Sequence, residues 1–167
     1  QCSACRWLGR YGTVSADSLS LLREMGGGQY PENIKVPFPG PLYNFIGKAE
    51  VEDRVKFLVL TLDHIINLMD ASEHMKSVQW KPKTVEYFLK DLHRQSSELK
   101  DCVAQYQKPS QNESYEKKIK RHFRTLKKIL KKEKYSAQAW EQIRRAVRSH
   151  LQRMDIIANN TKILLRV

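Results

Sequence analysis

Apolar residues spaced by three and four along four long stretches constrain this chain more than any other feature. A stripe of that period belongs to one face of an α-helix, and it must be covered. From Ala49 to Met69 the stripe is Val51, Val55, Leu58, Val59, Leu62, Ile65, Ile66 and Met69. Phe57, Leu60 and Leu68 widen it, so this helix is predicted to be the most buried. A second helix runs from about Pro82 to Val103 on Val85, Phe88, Leu89, Leu92, Leu99 and Val103. Pro82 suits its first turn, where the missing N–H costs nothing. A third spans roughly Ser114 to Lys132, with Tyr115, Ile119, Phe123, Leu126, Ile129 and Leu130 as its apolar face. Ser110 followed by Glu113 reads as a capping box, which would start it earlier. The fourth begins after Ser136, a predicted N-cap, and ends near Ala158. Its inward stripe is Ala139, Trp140, Ile143, Val147, Leu151 and Met154, which places Trp140 in the core. A shorter helix, Ser15 to Met25, stops at Gly26-Gly27-Gly28, where positive φ angles are available.

Between Gly26 and Gly47 the pattern breaks. Pro31, Pro37, Pro39 and Pro41 interrupt a stretch with no helical period, which reads as a long crossover loop. No strand alternation and no internal repeat emerges. The 167 residues suffice for one domain with a real core, and no run of eighteen apolar residues suggests a membrane span. The prediction is an all-α, up-up-down-down helical cytokine bundle of about five helices with a long first crossover loop, in a single domain over 1–167.

No catalytic set is visible. His64, His74, His93, His122 and His150 are spread over several elements, and no pair has the i, i+4 spacing of a helical zinc site. His64 and His122 border apolar faces and read as packed or partly exposed side chains. The glycine triplet lacks the Lys-Ser/Thr of a phosphate loop. Neither an enzyme nor a cofactor is expected. The cysteines are Cys2, Cys5 and Cys102. Cys2 and Cys5 share the spacing of half a zinc site or a redox motif, but no second pair accompanies them. A long-range disulfide is the preferred reading, and it implies an oxidising compartment. The chain begins at Gln1, as a mature chain would after loss of a targeting segment, so secretion is expected. In a secreted chain, Asn112 (Asn-Glu-Ser) and Asn159 (Asn-Asn-Thr) are glycan acceptors if exposed.

The formal net charge is +12. It admits nucleic acid, acidic polysaccharide or membrane, and an acidic protein surface as partners. Much of it lies in one run: Lys117, Lys118, Lys120, Arg121, Arg124, Lys127, Lys128, Lys131, Lys132 and Lys134. The apolar residues between them keep helix spacing, so the charges cover the remaining faces. That is either a solvated amphipathic helix or a site for a polyanion such as heparan sulfate. Specific nucleic-acid readout is disfavoured, because no helix-turn-helix, zinc finger or aromatic stacking platform is visible.

At Tyr135 the sequence becomes specific. YSAQAWEQIRR, Tyr135 to Arg145, resembles the signature at the start of the last helix in type I interferons. FPGPLYNF (Phe38 to Phe45) resembles the end of that family's long first loop, and the helix ending in INLMD its second helix. VQWKPKTVEYF and LKDCV resemble the third helix, and IKRHFRTLKKILKKEKYS the fourth running into the last. CRWLGRYG from Cys5 resembles the mature start of the family's fish members. The resemblance is colinear over nearly the whole chain. It departs from the two-disulfide mammalian pattern, with Gln138 where many relatives have cysteine and no cysteine in the long loop.

The resemblance implies a secreted cytokine that bridges two class II cytokine receptor chains, activates associated kinases and induces antiviral genes. The rival readings are a neighbouring class II helical cytokine and a basic polyanion-binding module. The resemblance also implies one disulfide, Cys5 to Cys102, which leaves Cys2 unpaired or competing. In the family, one receptor chain docks on the long loop and the exposed face of the last helix, and the other on the second, third and fourth helices. Carried over, this assigns Ile34, Lys35, Arg144, Arg145 and Arg148 to the first contact, with the three arginines expected to point away from the inward stripe.

Overall fold

The computed structural model describes residues 3–27, 30, 33–104 and 114–165, apart from the side chains of residues 3–5, 7 and 165. Every regular element among them is helical. A 3-10 segment, Ser3–Arg10, leads into α1 (Tyr11–Met25). Then follow α2 (Gly40–Ile46), α3 (Val51–Met69), a 3-10 turn at Ser72–His74, α4 (Pro82–Val103), α5 (Ser114–Lys132) and α6 (Ala137–Leu165). The predicted stripes meet in one core. α3 lies in its middle, packed on α4, α5 and α6, with Val55, Phe57, Leu58, Leu62 and Ile65 at 0% exposure. α1 packs on α4 and α6 from the other side.

Three features differ from the sequence reading. α1 starts at Tyr11 and not Ser15, behind the 3-10 segment. α6 continues to Leu165 because its buried stripe goes on through Ile157, Ala158 and Thr161. The Thr161 hydroxyl donates to the Ile157 carbonyl at 2.7 Å, which removes its polar objection to burial. The crossover holds a short helix, α2, whose Leu42, Tyr43 and Ile46 are buried. Two turns are too few to show a period, and the prolines around them read as breakers. Pro41 in fact occupies the first turn of α2.

The helix ends show how local chemistry sets the layout. Ser136 caps α6, its Oγ accepting from the Ala139 N–H at 3.1 Å. The Ser110–Glu113 capping box lies outside the described residues. At the end of α1, Gly26 is extended and Gly27 has φ 140°. The tighter demand falls on Gly26, where a Cβ would lie 2.3 Å from the Trp80 ring. The Lys81 N–H then donates to the orphan Met25 carbonyl at 3.0 Å.

α5 ends without glycine. Tyr135 N–H donates to Leu130 O at 2.8 Å and Lys134 N–H to Lys131 O at 3.0 Å, the paired bonds of a Schellman ending. Lys134 and Tyr135 take φ of 54° and 55° to make them, a strained choice that surrounding contacts must hold. Tyr135 stacks on His74 with centroids 3.9 Å apart, and Trp140 Nε1 donates to the His74 carbonyl at 2.9 Å. Trp140 is fully buried, edge-on to Trp80.

Candidate receptor-binding surface

The crossover is strapped along α6. At the start of the helix, Gln138 Nε2 donates to Asn33 Oδ1. Some four turns later, Arg153 Nη2 donates to Asn44 Oδ1 at 3.0 Å. The Arg153 guanidinium lies 5.3 Å from the Tyr43 ring centroid, and Tyr43 stacks flat on Phe38 at 5.3 Å. Loop residues 33 to 44 therefore follow the same stretch of α6 from end to end.

Beneath the strap runs a buried polar chain. The Tyr43 hydroxyl is 2.5 Å from His150 Nδ1, and His150 Nε2 is 2.8 Å from His122 Nε2. One proton separates the two Nε2 atoms. The arrangement that satisfies both contacts has Tyr43 donating to His150 Nδ1, and His150 Nε2–H donating to His122 Nε2. Burial holds the His150 imidazole well below its usual range, with His122 adding to the effect. Burial likewise pushes His122 down to about 4, with a smaller contribution from His64. His64, stacked on Phe123, is lowered by its own burial and then by Lys127. Both histidines of the chain are thus neutral at pH 7, and with Tyr43 they tie α2, α5 and α6 together. Among the described residues no group of three His, Cys, Asp or Glu could hold a metal ion. The chain was missed because its members lie 28 and 107 residues apart in sequence. The signal available was that His150 directly precedes Leu151 on the inward face of α6.

The receptor-contact residues divide. Ile34 is half-buried against the core, Lys35 and Arg148 are exposed, and Arg145 is half-buried with Nε 3.9 Å from Glu141 Oε1. Arg144 corrects the sequence reading. It is 8% exposed, and its guanidinium pairs with Glu141, itself 1% exposed. Its Nη1 donates to the Leu22 carbonyl at 3.0 Å. That carbonyl is in the last turn of α1, where orphan acceptors and the negative end of the helix dipole favour a cation. Arg144 is drawn inward because it caps α1 from another helix. Its side chain is a tie within the bundle and not the exposed contact expected.

Cys102 is fully buried and disulfide-bonded. The side chain of Cys5 lies outside the described residues, as do Cys2 and Asn112. Asn159 is exposed on α6. All ten basic residues from Lys117 to Lys134 are exposed. No helix among the described residues is long and apolar enough to cross a membrane.

Known proteins give this geometry its context. The interferon alpha/beta domain family matches residues 10–161. Interferon a3 of Oncorhynchus mykiss is 45% identical over 159 residues, covering 94% of this chain and 86% of the relative. The solved structure of zebrafish interferon 1 superposes with a TM-score of 0.88 at 65% identity, covering 94% of this chain and 99% of the other. Zebrafish interferon 2, at 23% identity and a TM-score of 0.67 over 87% and 96% of the two chains, shares the fold. The chain therefore belongs to the interferon alpha/beta family as a type I interferon of the fish kind, a helical cytokine and not an enzyme.

Proposed function

We propose that this interferon is secreted and bridges two class II cytokine receptor chains, which starts kinase signalling and antiviral gene induction. Family membership supports the receptor class. The strap of the crossover along α6 supports the placement. The Asn33–Gln138 bond sets Ile34 and Lys35 beside the first turn of the helix that carries Arg145 and Arg148. One receptor chain is assigned to that face, and the second to α3, α4 and α5. Arginine suits such a contact because its planar fork pairs with carboxylates while its stem packs on apolar surface.

Surface plasmon resonance against the two receptor ectodomains tests the assignment. Arg148→Ala and Lys35→Ala should each weaken one chain by about 1–3 kcal/mol and spare the other. Both side chains are exposed, so melting temperature should not move. Equal losses on both receptors, or none, would show that the face is misassigned. A second reading, polyanion binding such as heparan sulfate by the Lys117 to Lys134 helix, is favoured by the exposure of all ten cations.

A further inference from the structure

The charge on α5 is larger than the helix itself can use. From Lys117 to Lys134 there are ten basic residues and one acid, Glu133, a net nine of the chain's +12. Among the described residues, none of the ten lies within ion-pair distance of a carboxylate. Lys127 has a side-chain partner, the Asn67 amide oxygen, which is neutral. Like charges three and four residues apart destabilise a helix, and Lys117 and Lys118 near the N-terminus gain nothing from its dipole. Neither local stability nor packing accounts for this surface.

Its geometry is linear. Lys117, Arg121, Arg124, Lys128 and Lys131 are spaced by four, three, four and three, so they form one row along the solvent side of α5. The row is about 21 Å long with one cation per turn of about 5.4 Å. Lys120 and Lys127 flank it on one side, Lys118 and Lys132 on the other. We propose that this row is a binding site for a sulfated polysaccharide chain laid along α5. The proposal rests on the polyanion reading of α5 and not on receptor bridging.

Three observations select this ligand among polyanions. An amphipathic helix enters a membrane by its apolar face. In α5 that face is Tyr115, Ile119, Phe123, Leu126 and Leu130, at most 2% exposed within the core, so the helix offers only charge. The exposed side of α5 carries no aromatic residue on which a base could stack. The disulfide at Cys102 belongs to an oxidising compartment and not to the cytosol or nucleus, where nucleic acid is the polyanion at hand. Arg121 and Arg124 supply bidentate forks for sulfate oxygens, and the lysines supply point charges.

Heparin binding measured across salt concentrations tests this on the full chain. One variant carries Arg121→Gln, Arg124→Gln, Lys128→Gln and Lys131→Gln, which keep good helix formers. A control loses equal charge elsewhere through Arg23→Gln, Lys76→Gln, Lys83→Gln and Lys90→Gln. The α5 variant should bind heparin at least about tenfold more weakly than wild type. Its slope of log affinity against log salt should fall by about three to four, one per lost contact. The control should change little, and circular dichroism should show both variants helical. Equal losses in the two variants would overturn α5 as the site, and the polyanion reading with it. A site confined to α5 that holds desulfated heparin, duplex DNA or phosphatidylserine vesicles as tightly as heparin would overturn the ligand class alone.

Discussion

Arg144 shows how a single residue changes meaning once its surroundings are known. By spacing it lies off the stripe of Trp140, Ile143 and Val147, and a charged residue off the stripe reads as solvated. One partner was legible: Glu141, three residues earlier, is on the same helical face. The other, the Leu22 carbonyl, is 122 residues away, and no local pattern can announce it. Removing the guanidinium leaves the Glu141 carboxylate buried, with only a long approach from Arg145 in compensation. Arg144→Ala should therefore lower unfolding free energy by about 2–4 kcal/mol. Arg144→Lys should restore only part of it, because one ammonium cannot span both acceptors. Urea denaturation measures both, and an unchanged midpoint for the alanine variant would return Arg144 to the surface. Any loss of receptor binding in that variant should track the loss of fold. Gly26 carries the same lesson. The triplet announced a helix end, but the approach of Trp80, 54 residues on, is what excludes a side chain.

At the scale of elements, the long amphipathic helices were legible because each stripe repeats over four turns or more. α2 was not, since its position depends on what it packs against. Its anchor is the Tyr43–His150–His122 chain, which joins α2, α6 and α5. That chain makes the fold sensitive to acid in a definite direction. His122 and His150 are held neutral by burial, and in the unfolded chain each titrates near 6.5. Below that pH the unfolded state binds more protons than the folded state. The stabilisation is therefore fully present above pH 6.5 and is lost as pH falls toward about 4, where His122 itself titrates. Melting temperature should be flat from pH 8 to 7 and fall between 6.5 and 5, before most carboxylates take part. Each histidine adds at most about 1.4 kcal/mol per pH unit to that slope. In His122→Gln the slope should be shallower, because the amide can still hydrogen-bond to His150 but does not titrate. Parallel curves for the two proteins would mean that the chain is not the acid-sensitive element.

For the whole molecule, the sequence carried the bundle and the family through colinear motifs, but covalent topology was carried by resemblance alone. Cys102, buried at the end of α4, is disulfide-bonded, and the 3-10 segment Ser3–Arg10 packs on α1, α4 and α6. With three cysteines in the chain, the partner is Cys2 or Cys5. We propose Cys5, the pairing that the family resemblance implies; Cys5 falls within the segment that packs on α4. Pairing Cys5 with Cys102 closes a loop of about 100 residues, and in the chain-entropy model that stabilises by about 4–5 kcal/mol through the unfolded state. Such a bridge would hold the N-terminal segment to α4, on which it packs. Its removal should thus cost stability much more than it alters receptor contacts. Cys5→Ser should lower the melting temperature sharply, to that of the reduced wild-type protein, while Cys2→Ser should melt as wild type does. Peptide mapping of the oxidised protein gives an independent readout. Recovery chiefly of a Cys2–Cys102 peptide, with Cys5 alkylated, would reverse the assignment and move the anchor three residues toward the N-terminus.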